Sequence, residues 1–245
     1  MRNEMILILS LLFTYGTVLV LFQLLREQGL YLWTIVATIA ANIEVLIVIQ
    51  AFGMEMTLGN ILFASTFLVT DIASETCGRQ TAQKTVLLGI LTSILFVIVS
   101  QSWMLYQPAD TDWAAPAIRE VFSNTPRMML TSLLVYAFVQ TLDVWLYHKW
   151  WDFTSRHFGD SRRFLWLRNN GSTLVSQLAN AVLFTCGAFW GIHDGSTLIS
   201  IAVSSYVIFI VTSLADTPFV YAARKLQRQN NSQDASSAKG TASAR

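Results

Sequence analysis

The sequence predicts an all-α, polytopic membrane helix bundle of about seven transmembrane helices. Three observations carry this. Apolar residues make up 53% of the 245 residues and lie in blocks of about 20 rather than scattered. Charged residues are only 13%, against about 25% in soluble domains. The mean hydropathy is +0.49. The formal net charge of +1 excludes a strongly basic nucleic-acid binder. Two cysteines are too few for a disulfide framework or a four-thiolate zinc site.

Seven segments are long enough to cross about 30 Å of hydrocarbon at 1.5 Å per residue. They are Met5–Leu25, Leu30–Phe52, Thr57–Thr76, Thr85–Tyr106, Arg127–Tyr147, Ser172–Ile192 and Thr197–Ala222. In lipid each must satisfy its own backbone, so helices are expected, and the alternating ten-residue pattern of a barrel is absent. The first segment is long, and no small-x-small cleavage site precedes Arg26 and Glu27, so it is expected to be retained. Residues 1–224 form one transmembrane domain in this reading. Residues 225–245 are polar, small and without aromatics, and are expected to be a disordered cytoplasmic tail.

Basic residues orient the chain. With the N-terminus outside, inner loops hold Arg26; Arg79 and Lys84; Lys149, Arg156, Arg162, Arg163 and Arg168; and Arg224, Lys225, Arg228, Lys239 and Arg245. The outer side keeps Arg2, Arg119 and Arg127. A multi-pass protein of the cytoplasmic (inner) membrane with its C-terminus in the cytoplasm follows. Trp33, Trp103, Trp145, Trp150, Trp151, Trp166 and Trp190 fall near the proposed helix ends, the depth amphipathic rings prefer. The segment Gln107–Thr125, with Pro108 and Pro116, is expected to be an outer loop.

Several chemistries are missing. There is no G-x-x-x-x-G-K-[ST], so no nucleotide is hydrolysed by a P-loop. There is no H-E-x-x-H and no G-x-S-x-G. His148, His157 and His193 have no second ligand at helical spacing, so neither a metal nor another cofactor is expected. Nothing pairs a nucleophile with a base, and an enzyme is not expected.

The informative residues are polar groups within spans, where a charge costs roughly 2.5–3.5 kcal/mol on insertion scales. Glu44, Asp71, Glu75, Asp143 and Asp216 are such groups. No Lys or Arg occupies the centre of a span, so the acids are expected to lack cationic partners in the bundle. Asp71 and Glu75 are four residues apart and share one helix face with Asn60, Ala64 and Phe67. The bland alternative for Glu75 is an interfacial acid beside Arg79. Thr34, Thr38 and Asn42 align in the second span, about 200° from Glu44 in the case of Asn42. Tyr136, Gln140 and Asp143 align in the fifth span. Thr173, Ser176, Gln177 and Asn180 align in the sixth, where interhelical polar contacts are the alternative role. Ser205, Thr212 and Asp216 align in the seventh, before Pro218. Amides that donate and accept, carboxylates that accept, and flat rings together suit a planar heterocycle with N–H donors and a carbonyl better than a simple ion.

The third span carries Gly59-Asn60-x-x-Phe63 … Phe67-Leu68-x-x-Asp71-x-x-x-Glu75-x-x-Gly78-Arg79-x-x-Ala82. Asn42 precedes it. Thr125-Pro126-Arg127 opens the fifth span, followed by Gln140 and Asp143, and Trp166-Leu167-Arg168-Asn169-Asn170-x-Ser172-Thr173 … Gln177 leads into the sixth. This set, over Thr34–Tyr221, resembles the queuosine precursor transporter family, formerly described as vitamin uptake transporters. The resemblance implies a six-helix core, with Met5–Leu25 as an added N-terminal helix. It implies import of 7-cyano-7-deazaguanine, 7-aminomethyl-7-deazaguanine or queuine for tRNA modification, without an ATPase of its own. Two positions depart from the family's pattern: Asn180, where many relatives carry Asp, and Asp216, where they carry Glu.

A 7-deazaguanine presents N1–H and a 2-amino group side by side, which one carboxylate can accept, a carbonyl that needs a donor, and a flat ring. The expectation gives Asp71 or Glu75 the two-donor edge, an amide of Asn42, Gln140, Gln177 or Asn180 the carbonyl, and Phe63 or Phe67 the ring. Asn60, Asp143 and Asp216 complete the candidate set. Secondary transport or facilitation is the first reading. A substrate-binding subunit of an external ATPase and a membrane-embedded enzyme or scaffold are the alternatives. The expected partners are the small-molecule substrate and the bilayer, with no nucleic acid. Ala37, Ala40 and Ala41 permit close helix contacts and leave a homo-oligomer open.

Overall fold

The computed structural model describes residues 2–123, 126–158, 164–192 and 194–243. Thr125, Arg162, Arg163, His193 and Arg245, named above, lie outside the described residues. The elements run α1 (Arg2–Leu25), α2 (Glu27–Glu44), β1 (Val48–Ala51), β2 (Met54–Thr57), α3 (Asn60–Ile72), a π-helical turn (Ala73–Cys77), α4 (Arg79–Trp103), α5 (Ala115–Ser123), α6 (Pro126–Phe158), α7 (Leu165–Phe189) and α8 (Gly195–Ser243). An all-α bundle is what forms, apart from one hairpin. Among the described residues five helices, α1, α4, α6, α7 and α8, are long and apolar enough to cross a membrane. The assigned helix α8 continues into the polar residues after Lys225 for which the sequence expects disorder.

The second and third expected spans are redrawn. Helix stops at Glu44, and Val48–Ala51 pairs antiparallel with Met54–Thr57 instead of completing the Leu30–Phe52 segment. The cause is local. Phe52 and Gly53 both take positive φ, 52° and 75°, the conformation of a two-residue primed turn, for which glycine carries no Cβ penalty. Asn3 of α1 donates to the Gln50 carbonyl at 2.9 Å and holds the hairpin against the first helix.

Helix α3 has 13 residues, about 20 Å of rise, too short to span hydrocarbon unaided. It need not face lipid. Eleven of its residues, all but Leu62 and Phe63, are buried, which marks a central helix surrounded on every side. It packs against α1, α2, α4, α6 and α8. Its sequence widens into the π turn that carries Glu75 and ends at Gly78, whose φ of 90° lets the chain turn into α4.

The most extensive helix pairing is α6 with α7, followed by α7 with α8. Arg127 fastens one end of this layer, donating to the carbonyls of Gly187 and Trp190, both at 2.8 Å. The largest apolar core joins Tyr15, Val18 and Phe22 of α1 to Leu30, Leu68, Ile72, Val144 and Val220. The opposite faces of α1, α4 and α8 keep large aliphatic side chains exposed, as lipid contact requires. Trp103, Trp145, Trp166 and Trp190 are exposed. Trp33 is not an interfacial anchor: it is buried and donates Nε1 to Ser65 Oγ at 2.9 Å. Within Gln107–Thr125 the structure adds α5, a short helix in the expected loop.

Candidate functional site

Polar groups inside the bundle fall into three tiers along α3. The first is a cavity of about 240 Å³ between the hairpin and α2, α3, α4, α6, α7 and α8. Asn42 and Thr38 reach it from α2, Asn60 and Phe63 from the start of α3, Tyr136 from α6, Asn180 and Phe184 from α7, and Ser205 and Phe209 from α8. Among the described residues no charged side chain lines it. One wall is aromatic. The Phe63 ring centroid lies 5.4 Å from Phe67, 6.0 Å from Tyr136 and 6.1 Å from Phe209. Gly89 of α4 makes room for this wall, because a Cβ there would lie 1.9 Å from the Tyr136 hydroxyl oxygen.

The amides of the cavity have defined loose ends. Asn42 Nδ2 donates to the Thr38 carbonyl at 2.8 Å, so Asn42 has Oδ1 to offer. Asn180 Nδ2 donates to Gln177 Oε1 at 3.2 Å, so it too offers Oδ1. Asn60 is the reverse. Its Oδ1 accepts from Thr57 at 3.0 Å, while Nδ2 is buried with no partner among the described residues. The cavity thus presents the orphan amide donor of Asn60, the orphan hydroxyl of Thr38 and two amide acceptors beside flat rings.

The second tier is deeper. Asp71, Asp143 and Asp216 are all but fully buried. Thr173 Oγ1 donates to Asp71 Oδ2 at 3.1 Å, Ser176 Oγ to Asp143 Oδ1 at 2.9 Å, and Asn169 Nδ2 to Asp216 Oδ1 at 2.7 Å. Gln140 sits nearby, donating to Thr66 Oγ1 at 2.6 Å. Phe67 packs with Val135 and Val139.

The third tier closes the bundle beyond the acids. Glu75 Oε2 accepts from Arg168 Nη2 at 2.7 Å and from the Tyr147 hydroxyl at 2.8 Å, and Glu75 Oε1 lies 3.4 Å from Arg224 Nε. The Arg168 guanidinium also lies over Trp151, 4.1 Å from the ring centroid. The expectation that all the acids lack cationic partners is therefore corrected for Glu75. Arg168 reads in the sequence as a loop-edge cation, yet α7 begins at Leu165 and carries it inward to a fully buried position. Trp151, expected to be an interfacial anchor, lies under that cation instead.

Of the candidate residues, Asn42, Asn60, Phe63 and Asn180 line the cavity. Phe67, Asp71, Glu75, Gln140, Asp143, Gln177 and Asp216 lie behind or below it. Phe184 and Phe209 are absent from the residues the sequence singles out, while Thr38, Tyr136 and Ser205 appear there in polar stripes but outside the candidate set. The apolar members carry no signal in a chain this rich in Phe. Among the described residues no group of three or more His, Cys, Asp or Glu is spaced to hold a metal ion.

A lipid-facing helical shell around an uncharged polar cavity, with buried carboxyls and an ion pair stacked beneath, defines a membrane transporter of small molecules. The chain belongs to the family described as "Putative vitamin uptake transporter", whose profile matches residues 57–223. It is 38% identical over 209 residues, 85% of this chain and 89% of the relative, to a protein of Bacillus subtilis (strain 168) named "Probable queuosine precursor transporter". No solved structure gives a significant match. The profile starts at β2, so α1 and α2 lie before the matched segment.

Proposed function

We propose that the chain imports queuosine precursors, 7-deazaguanines such as 7-cyano-7-deazaguanine, 7-aminomethyl-7-deazaguanine or queuine, by secondary transport or facilitation. The cargo occupies the cavity between the hairpin and α7. The named relative supports the cargo class. The observation that carries the site is the cavity's donor and acceptor set. Asn60 Nδ2 supplies the donor for the ring carbonyl. The Oδ1 atoms of Asn42 and Asn180 accept the N1–H and 2-amino hydrogens. Phe63 and Tyr136 offer faces for the ring. A volume of about 240 Å³ lies just below the roughly 300–1,000 Å³ usual for ligand pockets and suits a single base more than a nucleotide.

In this reading amides hold the hydrogen-bonding edge that the sequence alone assigns to Asp71 or Glu75. A guest in an uncharged cavity leaves no carboxylate beside it to desolvate. The basic ends of α6 and α8 support a cytoplasmic side for the ion-pair tier and the C-terminus. The test is direct binding of labelled 7-cyano-7-deazaguanine to the purified chain, with uptake by cells expressing it. Binding that survives Asn60→Leu and Asn180→Leu together would remove this site.

A further inference from the structure

The cavity leaves the acid tier without a task. Asp71 of α3, Asp143 of α6 and Asp216 of α8 are 1%, 0% and 1% exposed. One face of α7 gathers them, because Asn169, Thr173 and Ser176 each bond one of the three and are spaced by helical turns. A second observation is independent of the acids' number. Asp71 Oδ1, Asp143 Oδ2 and the amide oxygen of Asn169 are buried acceptors with no partner among the described residues. Asn169 bonds Asp216 through its Nδ2, so its orphan oxygen lies beside that carboxyl.

The surroundings do not supply compensating charge. The titratable and charged groups facing the tier are Tyr15 of α1, whose hydroxyl donates to the Thr212 carbonyl, Glu75 of the π turn, Tyr147 of α6 and Arg168 of α7. Arg168 gives Nε and Nη2 to Glu75 and keeps Nη1 without a partner among the described residues, and Tyr147 donates to Glu75. Acceptors kept dry without a donor or cation carry a large desolvation cost, which a mobile positive charge removes.

We propose that Asp71, Asp143 and Asp216 form a proton-binding site that couples cargo movement to the transmembrane proton gradient. A proton bonds to an orphan carboxylate oxygen, cancels its charge, and later leaves that same oxygen for water on the other side. A proton needs only one oxygen, whereas a metal ion needs several at once. Helix α7 links the two tiers. Asn180 in the cavity bonds Gln177, which is next to Ser176 and one turn from Thr173, whose hydroxyls hold Asp143 and Asp71 respectively. Cargo that engages Asn180 thereby acts on the helix that holds the acids.

This inference rests on the transport reading, and the experiment separates the two. The purified full chain is placed in liposomes with a lumenal pH dye, and labelled 7-cyano-7-deazaguanine is the probe. Exchange of labelled for unlabelled cargo without any gradient tests transport alone, and its absence overturns the transport reading. With exchange in hand, an inward proton gradient of one pH unit should raise accumulation by up to about tenfold per coupled proton. Adding cargo should acidify the lumen. Asp143→Asn should keep exchange and lose both responses. Accumulation that ignores the proton gradient, or follows a sodium gradient instead, overturns the proposal. So does full proton-driven accumulation by Asp143→Asn. If that variant does not insert, the dye response of the unaltered chain decides.

Discussion

Glu75 and Arg168 meet inside the bundle, 93 residues apart in sequence, with 2.7 Å between Oε2 and Nη2 and side-chain exposures of 3% and 0%. An ion pair this dry is held by its own geometry. Tyr147 donates to the same carboxylate oxygen, and Trp151 covers the guanidinium. The pair ties the π turn after α3 to α6 and α7 at the end of the bundle opposite the cavity.

Breaking that pair should be costly. Removing one member leaves a buried charge unmatched, which typically destabilises by about 3–5 kcal/mol. Glu75→Gln and Arg168→Gln should each lower the melting temperature of the detergent-purified chain. The double variant should recover part of the loss, because neither charge is then stranded. Equal melting of all four proteins would show the pair to be energetically idle.

Asn60→Leu should weaken binding of labelled 7-cyano-7-deazaguanine by about tenfold or more. The orphan Nδ2 is an amide donor of the cavity, and an unpaired carbonyl on the guest costs about 1–3 kcal/mol. Equilibrium binding to the purified chain reads this, and unchanged melting separates it from misfolding.

Gly89→Ala should act on the cavity without touching it. The new Cβ would sit 1.9 Å from the Tyr136 hydroxyl oxygen and 2.7 Å from Cζ, so the ring must swing toward the guest. Overpacking of this kind costs about 1–3 kcal/mol. Cargo affinity should fall about tenfold, and Gly89→Ala with Tyr136→Phe should regain some of it. Affinity unaltered by Gly89→Ala would mean that Tyr136 does not shape the site.

The start of α8 carries a pH prediction. Asp194 accepts from the Ser196 hydroxyl and, at 2.5 Å, from the Thr197 hydroxyl, and these bonds hold its carboxyl at about 2, below its ordinary 3.8. A carboxyl lowered in the folded state stabilises it above its unfolded value, and that contribution is lost as pH falls through about 2. The cap should therefore be constant from about pH 5 to 8. Amide exchange at Thr197 and Leu198, corrected for the intrinsic rate, should show no pH step there. Asp194→Ala should speed that exchange at every pH in the range.

Much of the outer frame was legible in the sequence. The apolar blocks beginning at Met5, Thr85, Arg127, Ser172 and Thr197 correspond to α1, α4, α6, α7 and α8, because a helix facing lipid must be apolar over its whole length. The block from Thr57 is redrawn for the same reason in reverse. Helix α3 is sheathed by other helices, so its length answers to packing rather than to bilayer thickness. The Phe52-Gly53 turn is a two-residue signal lost among apolar neighbours.

The sequence by itself determined the membrane class, the family motifs and the polar face of each helix, since those depend on composition and on helical periodicity along one chain. Only the tertiary structure decided which faces meet. Asp71 and Glu75 share one side of a helix, yet Asp71 bonds Thr173 among other acids while Glu75 meets Arg168. Periodicity fixes the direction in which a side chain leaves its helix; what waits there is set by packing between segments about a hundred residues apart.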